Sequence, residues 1–222
     1  MNVILVGPPG AGKGTQAKAL EARLGLKHIA SGDLFRRAIR EETEMGLLAR
    51  SFVDRGELVP DEVVIEMIVE RLYQPDCALG VIFDGFPRTK EQAGALERTL
   101  EEHGQGIDAV IYLTAPRDIL LKRIAGRVTC RGCQASYNIY YSPPVAENVC
   151  DRCGDELYER SDDNWNTAKH RLEVYMRQTM PLIDHYRDQG ILHEVDGNYY
   201  IEKVTERLAD ELRTNGSNDG SA

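Results

Sequence analysis

A glycine-rich segment, GPPGAGKG at residues 7–14, directly follows the short apolar run VILV at residues 3–6. Glycines let backbone N–H groups turn inward around phosphate oxygens, and the lysine of such a loop reaches the terminal phosphates of a nucleotide. Residues 15–24 have the pattern of an amphipathic helix, whose positive end would face the loop. Strand, loop and helix in this order predict a nucleoside triphosphate site rather than a glycine-rich turn without a ligand.

The residues predicted to hold the phosphates of this nucleotide are Gly10, Ala11, Gly12, Lys13, Gly14 and Thr15. The usual motif has Ser or Thr directly after the lysine, whereas here Gly14 comes first and Thr15 second. The hydroxyl that would face a metal ion is therefore displaced by one residue.

Four further apolar runs alternate with helical patterns along the chain. They are HIA at 28–30, VIFDG at 81–85, AVIYLT at 109–114 and ILHEV at 191–195. Short buried strands alternating with longer helices, such as those expected at 61–72 and 116–125, predict an α/β fold. We expect a parallel five-stranded sheet flanked by helices.

Two segments interrupt this alternation. Residues 31–59 are helical and charged with no strand, and residues 127–163 contain clustered Tyr, Pro and Cys. We therefore predict a core domain from residues 1–30, 60–126 and 164–222, with two insertions. Residues 214–222 are small and polar, which predicts a disordered tail.

The composition limits the classes of function. The net charge of −9 over 222 residues argues against a protein that coats nucleic acid or an anionic membrane. No apolar run approaches the roughly 18 residues of a membrane span, and the first residues lack a signal-peptide pattern. We expect a cytoplasmic protein without a nucleic-acid or membrane partner.

Four of the five cysteines form two CxxC pairs, Cys130 with Cys133 and Cys150 with Cys153. Four thiolates at this spacing are typical of a closed structural Zn²⁺ site. A redox role needs one CxxC, disulfides are rare in the cytoplasm, and a nucleic-acid ribbon would carry more basic residues. An insertion of fewer than about 40 residues cannot bury its own core, so a metal would stabilise it.

Arginines and one aspartate are the other candidates for phosphate chemistry. Asp84 ends an apolar run, where a carboxylate can hold Mg²⁺ through its water shell. Arginine pairs with phosphate oxygens through its planar guanidinium and keeps its proton. The candidates beside Gly or Asp are Arg36, Arg88, Arg123, Arg127, Arg160 and Arg171.

Together these motifs resemble those of adenylate kinases of the long-lid, zinc-bearing type. GPPGAGKGTQA, SGDLFR, GELVPDEV, DGFPRT with Gln92, RIAGR and RSDD occur in the family's order up to about Asp196. The resemblance implies a phosphate-loop kinase sheet, a monophosphate-binding insertion at 31–59 and a zinc-binding lid at 127–163. It also implies transfer of the γ phosphate of Mg-ATP to AMP, giving two ADP.

The resemblance also implies roles for individual residues. Arg123 and Arg127 would join the phosphate loop in binding ATP. The residues implied for AMP are Ser31, Arg36, Glu57, Leu58, Val59, Gly85, Arg88, Gln92, Arg160 and Arg171. Lys13, Asp84 and the arginines at 88, 123, 127, 160 and 171 would be catalytic. A primary amide offers a donor beside an acceptor, which favours the adenine edge for Gln92.

Two positions depart from the family pattern, and three alternatives stay open. Ser31 stands where the family commonly has threonine. Asn166 stands where it commonly has glutamate, so an ion pair near the lid hinge is expected to be missing. The alternatives are a kinase of another nucleoside monophosphate, GTP as the donor, and a phosphate-loop ATPase with a zinc ribbon. We expect a monomer and no role for Cys77 beyond packing.

Overall fold

The computed structural model of the chain describes residues 1–216. Its strands are β1 (Asn2–Val6), β2 (Lys27–Ala30), β3 (Val81–Asp84), β4 (Ala109–Thr114), β5 (Arg127–Cys130), β6 (Ser136–Asn138), β7 (Leu157–Tyr158) and β8 (Leu192–Asp196). Its α-helices are α1 (Lys13–Leu24), α2 (Ser31–Arg40), α3 (Glu44–Arg55), α4 (Asp61–Leu72), α5 (Lys90–Glu101), α6 (Arg117–Ala125), α7 (Trp165–Val174), α8 (Pro181–Asp188) and α9 (Ile201–Gly216). A π-helical turn, Tyr175–Thr179, joins α7 to α8.

Within residues 1–216, five strands form a parallel sheet in the order β2-β3-β1-β4-β8. In the centre of the sheet, Leu5 of β1 lies opposite Asp84 of β3 and Ile111 of β4. The predicted five-stranded parallel sheet is therefore confirmed. The phosphate loop follows β1, so it lies at the carboxyl edge of the sheet, where ligands of such folds bind.

Alternate residues of β1 supply the hydrophobic cores on the two faces of the sheet. Val3 and Leu5 pack with residues of α1, α6 and α9, whereas Ile4 and Val6 pack with residues of α4, α5 and α8. Side chains alternate along a strand, and a strand covered on both faces must be apolar throughout. This is why the run at residues 3–6 has no polar residue.

The segment 31–59 is helical, as predicted, and consists of α2 and α3 packed closely together. Gly46, in the first turn of α3, is the point of closest approach, because a Cβ there would lie 2.1 Å from the carbonyl oxygen of Ala38. Thr43 caps α3 by accepting a hydrogen bond from the Gly46 backbone N–H at 3.1 Å. The glycine therefore sets the distance between the two helices.

The segment 127–163 contains a small antiparallel sheet of order β6-β5-β7. The buried cluster beneath it consists of Cys130, Ala135, Cys150 and Leu157, with Val128 and Tyr137 packed against it. So few apolar residues bury little surface, in accord with the expectation that the segment needs a metal for stability.

Three local expectations need correction. Helix α1 begins at Lys13, two residues before the predicted start, and helix α6 begins at Arg117, one residue after its predicted start. Helix α9 continues to Gly216, so the first residues of the predicted tail are helical. The rest of that tail, 217–222, lies outside the described residues. In the part of the chain that is described, every helix is too short or too polar to span a bilayer.

Candidate functional site

The phosphate loop has the backbone conformation that its glycines allow. Gly10 has φ +85° and Gly12 has φ +99°, a region that glycine adopts readily and other residues avoid. A Cβ at Gly10 would also lie 2.6 Å from the Leu120 carbonyl oxygen. Gly12 is the N-cap of α1, so the unpaired N–H groups of the helix start face the loop. The loop therefore has the backbone conformation expected of an anion-binding turn.

Lys13 points back into the loop. Its Nζ donates to the carbonyl oxygens of Gly7 at 2.7 Å and Pro8 at 3.1 Å. Burial lowers the Lys13 pKa to about 8, and the charges of Arg88, Arg171 and Arg127 lower it too, against the opposing effect of Asp84. An anion bound in the loop would relieve this repulsion.

Asp84 lies beside the phosphate loop, as predicted. A Cβ on Gly14 would lie 3.2 Å from Asp84 Oδ2, so the carboxylate lies close against the start of α1. His28 Nε2 lies 3.3 Å from the same oxygen. Burial raises the Asp84 pKa, but the His28 hydrogen bond and the Lys13 charge outweigh it, and the pKa is below its usual value. An ionised carboxylate near a helix start carrying the exposed Thr15 is a suitable donor set for Mg²⁺.

A group of arginines surrounds the space above the loop, held by two buried aspartates. Arg127 donates through Nε to Asp163 Oδ2 at 2.7 Å and also pairs with Oδ1. Arg171 Nη1 lies 2.9 Å from oxygens of both Asp162 and Asp163. Because the carboxylates are almost fully buried, these ion pairs fix the guanidinium positions.

The pKa values of two arginines are lowered first by burial and then by neighbouring positive charges. Burial and then Arg171 lower the Arg88 pKa to about 10. Burial and then Arg127 lower the Arg160 pKa to about 9, while Arg160 Nε donates to Thr129 Oγ1 at 3.0 Å. An anion bound among these arginines would relieve this repulsion.

A cavity of roughly 600 Å³, counting its open mouth, lies beside this group. The predicted residues in its wall are Ser31, Arg36, Glu57, Leu58, Val59, Gly85, Arg88, Gln92 and Arg171. Arg160 is absent from the lining that the described residues form. Phe35, Val53 and Val64 add an apolar wall, which suits a flat base.

Arg123 lies apart from the cavity, near the other end of the phosphate loop. Its guanidinium carbon is 5.7 Å from the centre of the Tyr141 ring, and Nη2 donates to the Gly197 carbonyl oxygen at 3.1 Å. The structure therefore separates Arg123 from the arginines that line the cavity.

The four paired cysteines come together as predicted. Their Sγ atoms all lie within 4.8 Å of one another. Four sulfurs around Zn²⁺ at about 2.3 Å would be separated by roughly 3.7 Å, so the cluster fits this metal. The Tyr137 oxygen accepts from the Asp151 backbone N–H at 2.9 Å and lies 3.4 Å from Cys150 Sγ. The Tyr137 hydroxyl can donate to a Cys150 thiolate, and this hydrogen bond lowers the Cys150 pKa to about 6, which favours the form that binds metal.

Comparison with known proteins identifies the family. The family model described as "Adenylate kinase" matches residues 5–191. This chain belongs to the adenylate kinase family. It is 48% identical over 213 residues to the adenylate kinase of Carboxydothermus hydrogenoformans, covering 96% of this chain and 100% of that protein. It is 51% identical over 208 residues to that of Archaeoglobus fulgidus (94% and 96%) and 52% identical over 204 residues to that of Bacillus licheniformis (92% and 94%).

Membership of the adenylate kinase family confirms the resemblance seen in the motifs. It makes the chain a nucleoside monophosphate kinase with the phosphate-loop kinase fold. The alternative of an ATPase with a zinc ribbon has no support, because the matched range includes both the phosphate loop and the acceptor-side segment.

Sequence reasoning missed residues that position the site rather than line it. Asp162 and Asp163 hold two of the arginines, His28 contacts Asp84, and Asp61 contacts Gln92. The only sequence signal for the first two is their adjacency in RSDD. The other contacts join residues more than 30 positions apart, so no local pattern reveals them.

Proposed function

We propose that the protein catalyses the reversible transfer of the γ phosphate of Mg-ATP to AMP, giving two ADP. The observation that carries this proposal is the convergence of Lys13, Arg88, Arg127 and Arg171 between the phosphate loop and the cavity. A transferring phosphoryl group carries negative charge on its equatorial oxygens, and positive charges held in place stabilise it.

The reaction needs no general base. An oxygen of the AMP phosphate is already ionised, so it attacks the γ phosphorus while the bond to the β–γ bridging oxygen breaks. The arginines keep both nucleotides in line, which supplies much of the catalysis by orientation. Closure of segment 127–163 over ATP would exclude water, which otherwise would accept the phosphoryl group.

The proposed roles follow the two sides of the arginine group. ATP is bound by the phosphate loop and two arginines: Gly10, Ala11, Gly12, Lys13, Gly14, Thr15, Arg123 and Arg127. AMP is bound by Ser31, Arg36, Glu57, Leu58, Val59, Gly85, Arg88, Gln92, Arg160 and Arg171. Ser31 Oγ already donates to the Gly85 carbonyl oxygen at 2.7 Å, so its role is to shape the cavity wall.

Two metal ions serve different purposes in this proposal. Zn²⁺ is held by Cys130, Cys133, Cys150 and Cys153 and stabilises segment 127–163 as a lid. Mg²⁺ arrives with ATP and neutralises phosphate charge, and Asp84 is placed to hold its water shell. The fit of the sulfur cluster supports the first ion and the ionised Asp84 supports the second.

We also propose that the enzyme acts as a monomer in the cytoplasm. All the residues assigned to ATP and AMP come from one chain, so a second copy is not needed for the reaction. Thiols that serve as zinc ligands must stay reduced, which the cytoplasm ensures.

The experiment that tests the function is phosphorus NMR of ADP and Mg²⁺ with purified protein. Equal amounts of ATP and AMP are the expected products. Inorganic phosphate and AMP without ATP would indicate hydrolysis of the nucleotide instead of transfer. Unchanged ADP would indicate another acceptor, to be sought in a panel of monophosphates with ATP or GTP as the donor. The control is Arg88→Ala, which should lose most turnover because the acceptor phosphate loses its main partner.

A further inference from the structure

The side-chain amide of Gln92 is held at both ends by groups of opposite type. Gln92 is only 1% exposed. The Arg88 backbone N–H donates to its Oε1 at 2.7 Å, and its Nε2 donates to Asp61 Oδ1 at 2.7 Å. A backbone N–H can only donate and a carboxylate can only accept. Of the two amide orientations related by a half-turn, only one satisfies both partners.

Asp61 is itself held in place. The Thr89 hydroxyl donates to Asp61 Oδ2 at 2.9 Å and accepts from the Gln92 backbone N–H at 3.2 Å. Asp61 is the first residue of α4, and Thr89 is the N-cap of α5. The network thus ties together the starts of two helices, and Asp61 cannot turn away without losing its hydrogen bond from Thr89.

The fixed orientation matters for what the cavity can bind. A primary amide has two N–H donors and two oxygen lone pairs, and the network uses one of each. The remaining donor and lone pair are available to a base in the cavity that Gln92 lines. Adenine presents an amino donor at position 6 and an acceptor at N1, whereas hypoxanthine and guanine present an acceptor at position 6 and a donor at N1.

A glutamine free to turn would fit either kind of base by a half-turn of its amide. The Gln92 amide, with its donor beside an acceptor, therefore does not by itself discriminate adenine from a 6-oxo purine. Discrimination requires a second group that prevents the half-turn, because a reversed base then meets like groups at both positions and leaves them unpaired.

We propose that Asp61 is this specificity-determining residue. It does not touch the base; it is a positioning residue that keeps Gln92 Nε2 on one side and so selects a 6-amino purine over a 6-oxo purine. This inference rests on the proposed function, in which the cavity holds the acceptor monophosphate.

The test compares AMP with IMP as acceptors, with ATP as the donor, in the wild type and in Asp61→Asn. IMP has oxygen in place of the 6-amino group and a hydrogen at N1, so it presents the reversed edge without an added substituent. An asparagine amide can accept from Gln92 or donate to it, so the variant permits both Gln92 orientations with the loss of one hydrogen bond instead of two. We expect the AMP-to-IMP ratio of kcat/KM to fall by about tenfold or more, with the KM for ATP unchanged.

The matched control is Glu62→Gln, which removes a negative charge from the same helical turn at an exposed side chain. Its AMP-to-IMP ratio should equal that of the wild type. An unchanged ratio in Asp61→Asn, or an equal fall in both variants, overturns the inference. If the wild type phosphorylates AMP and the ratio is unchanged in Asp61→Asn, the inference fails but the proposed function stands. If the wild type does not phosphorylate AMP, the inference and the proposed function are both rejected.

A second measurement does not depend on folding of the variant. In ¹⁵N-labelled wild-type protein, the Gln92 Nε2 proton that donates to Asp61 should exchange slowly with solvent, because it is buried and hydrogen-bonded. Fast exchange of both Nε2 protons would show that this hydrogen bond does not hold the amide and would overturn the inference.

Discussion

At the scale of single residues, the site is distinguished by positive charges held close together at a cost in solvation. Lys13 and Arg88 both have lowered pKa values because the surrounding protein removes water and their neighbours repel them. Such groups are unfavourable until an anion arrives, so part of the affinity for a phosphate comes from relief of this repulsion.

The lowered pKa of Lys13 predicts a pH dependence of ATP binding. The free protein loses the Lys13 proton above about pH 8, and the phosphates bind the protonated form, so affinity should weaken as pH rises. Because one proton is linked to binding, the Kd for ATP should rise by up to about tenfold per pH unit above pH 8. Titration calorimetry from pH 7 to 9.5 measures it, with Lys13→Arg as the control, whose slope should be smaller. A Kd independent of pH over this range contradicts the assignment.

At the scale of elements, the acceptor-side segment depends on one close contact between helices. Gly46 lets α3 approach the last turn of α2, and those two helices carry Arg36 and Val53 of the cavity wall. Any side chain at position 46 must push the helices apart because the obstacle is backbone rather than a flexible side chain.

Gly46→Ala should therefore reduce both stability and acceptor binding. Overpacking of this kind costs about 1–3 kcal/mol, which for a chain of this size lowers the melting temperature by roughly 2–12 °C. The KM for AMP should rise while the KM for ATP stays close to that of the wild type. Calorimetry and steady-state kinetics measure both. Gly106→Ala is the control, since a Cβ there meets nothing within 4 Å; equal effects of the two changes would refute the argument.

Segment 127–163 is the second element that depends on one feature, its cysteine cluster. Cys130→Ser should lower the zinc content below one ion per chain and reduce the melting temperature, while much activity remains at low temperature. A loss of about 2–3 kcal/mol corresponds to roughly 5–10 °C. Metal analysis and calorimetry give the readouts, and Cys77→Ser should keep its zinc because Cys77 lies outside the cluster. Unchanged zinc and melting in Cys130→Ser would reject a structural metal.

At the scale of the whole molecule, the two insertions meet above the arginine group. The Ser161 hydroxyl, at the base of segment 127–163, donates to Asp54 Oδ1 of α3 at 2.8 Å. This hydrogen bond joins residues 107 positions apart and connects the two insertions. The contact can couple closure of the two segments, although its exposure limits its strength.

Removal of this bridge should weaken binding of AMP in the presence of ATP. We expect Asp54→Ala and Ser161→Ala to be non-additive, with a coupling free energy of about 0.5–1 kcal/mol in the KM for AMP. Ser51→Ala, an exposed serine on the same helix, serves as the control and should have no coupling to Asp54→Ala. Fully additive effects of Asp54→Ala and Ser161→Ala would show that the bridge does not contribute to closure.

Much of the fold and the site could be predicted from local sequence, because the relevant forces act over a few residues. The phosphate loop needs glycines at particular positions, parallel strands need continuous apolar runs, and a zinc site needs its CxxC spacing. The strand order and the limits of α9 could not be predicted this way, since they depend on packing between distant segments.

The sequence alone determined which chemical groups the chain offers: a glycine-rich loop with a lysine, several arginines, four paired thiols and a primary amide. Only the tertiary structure decided the orientation of these groups. Asp163 holds Arg127 across 36 positions and Asp61 holds Gln92 across 31. The reason is physical: a residue's type sets which hydrogen bonds it can make, whereas its direction depends on partners that the folded chain brings within about 3 Å.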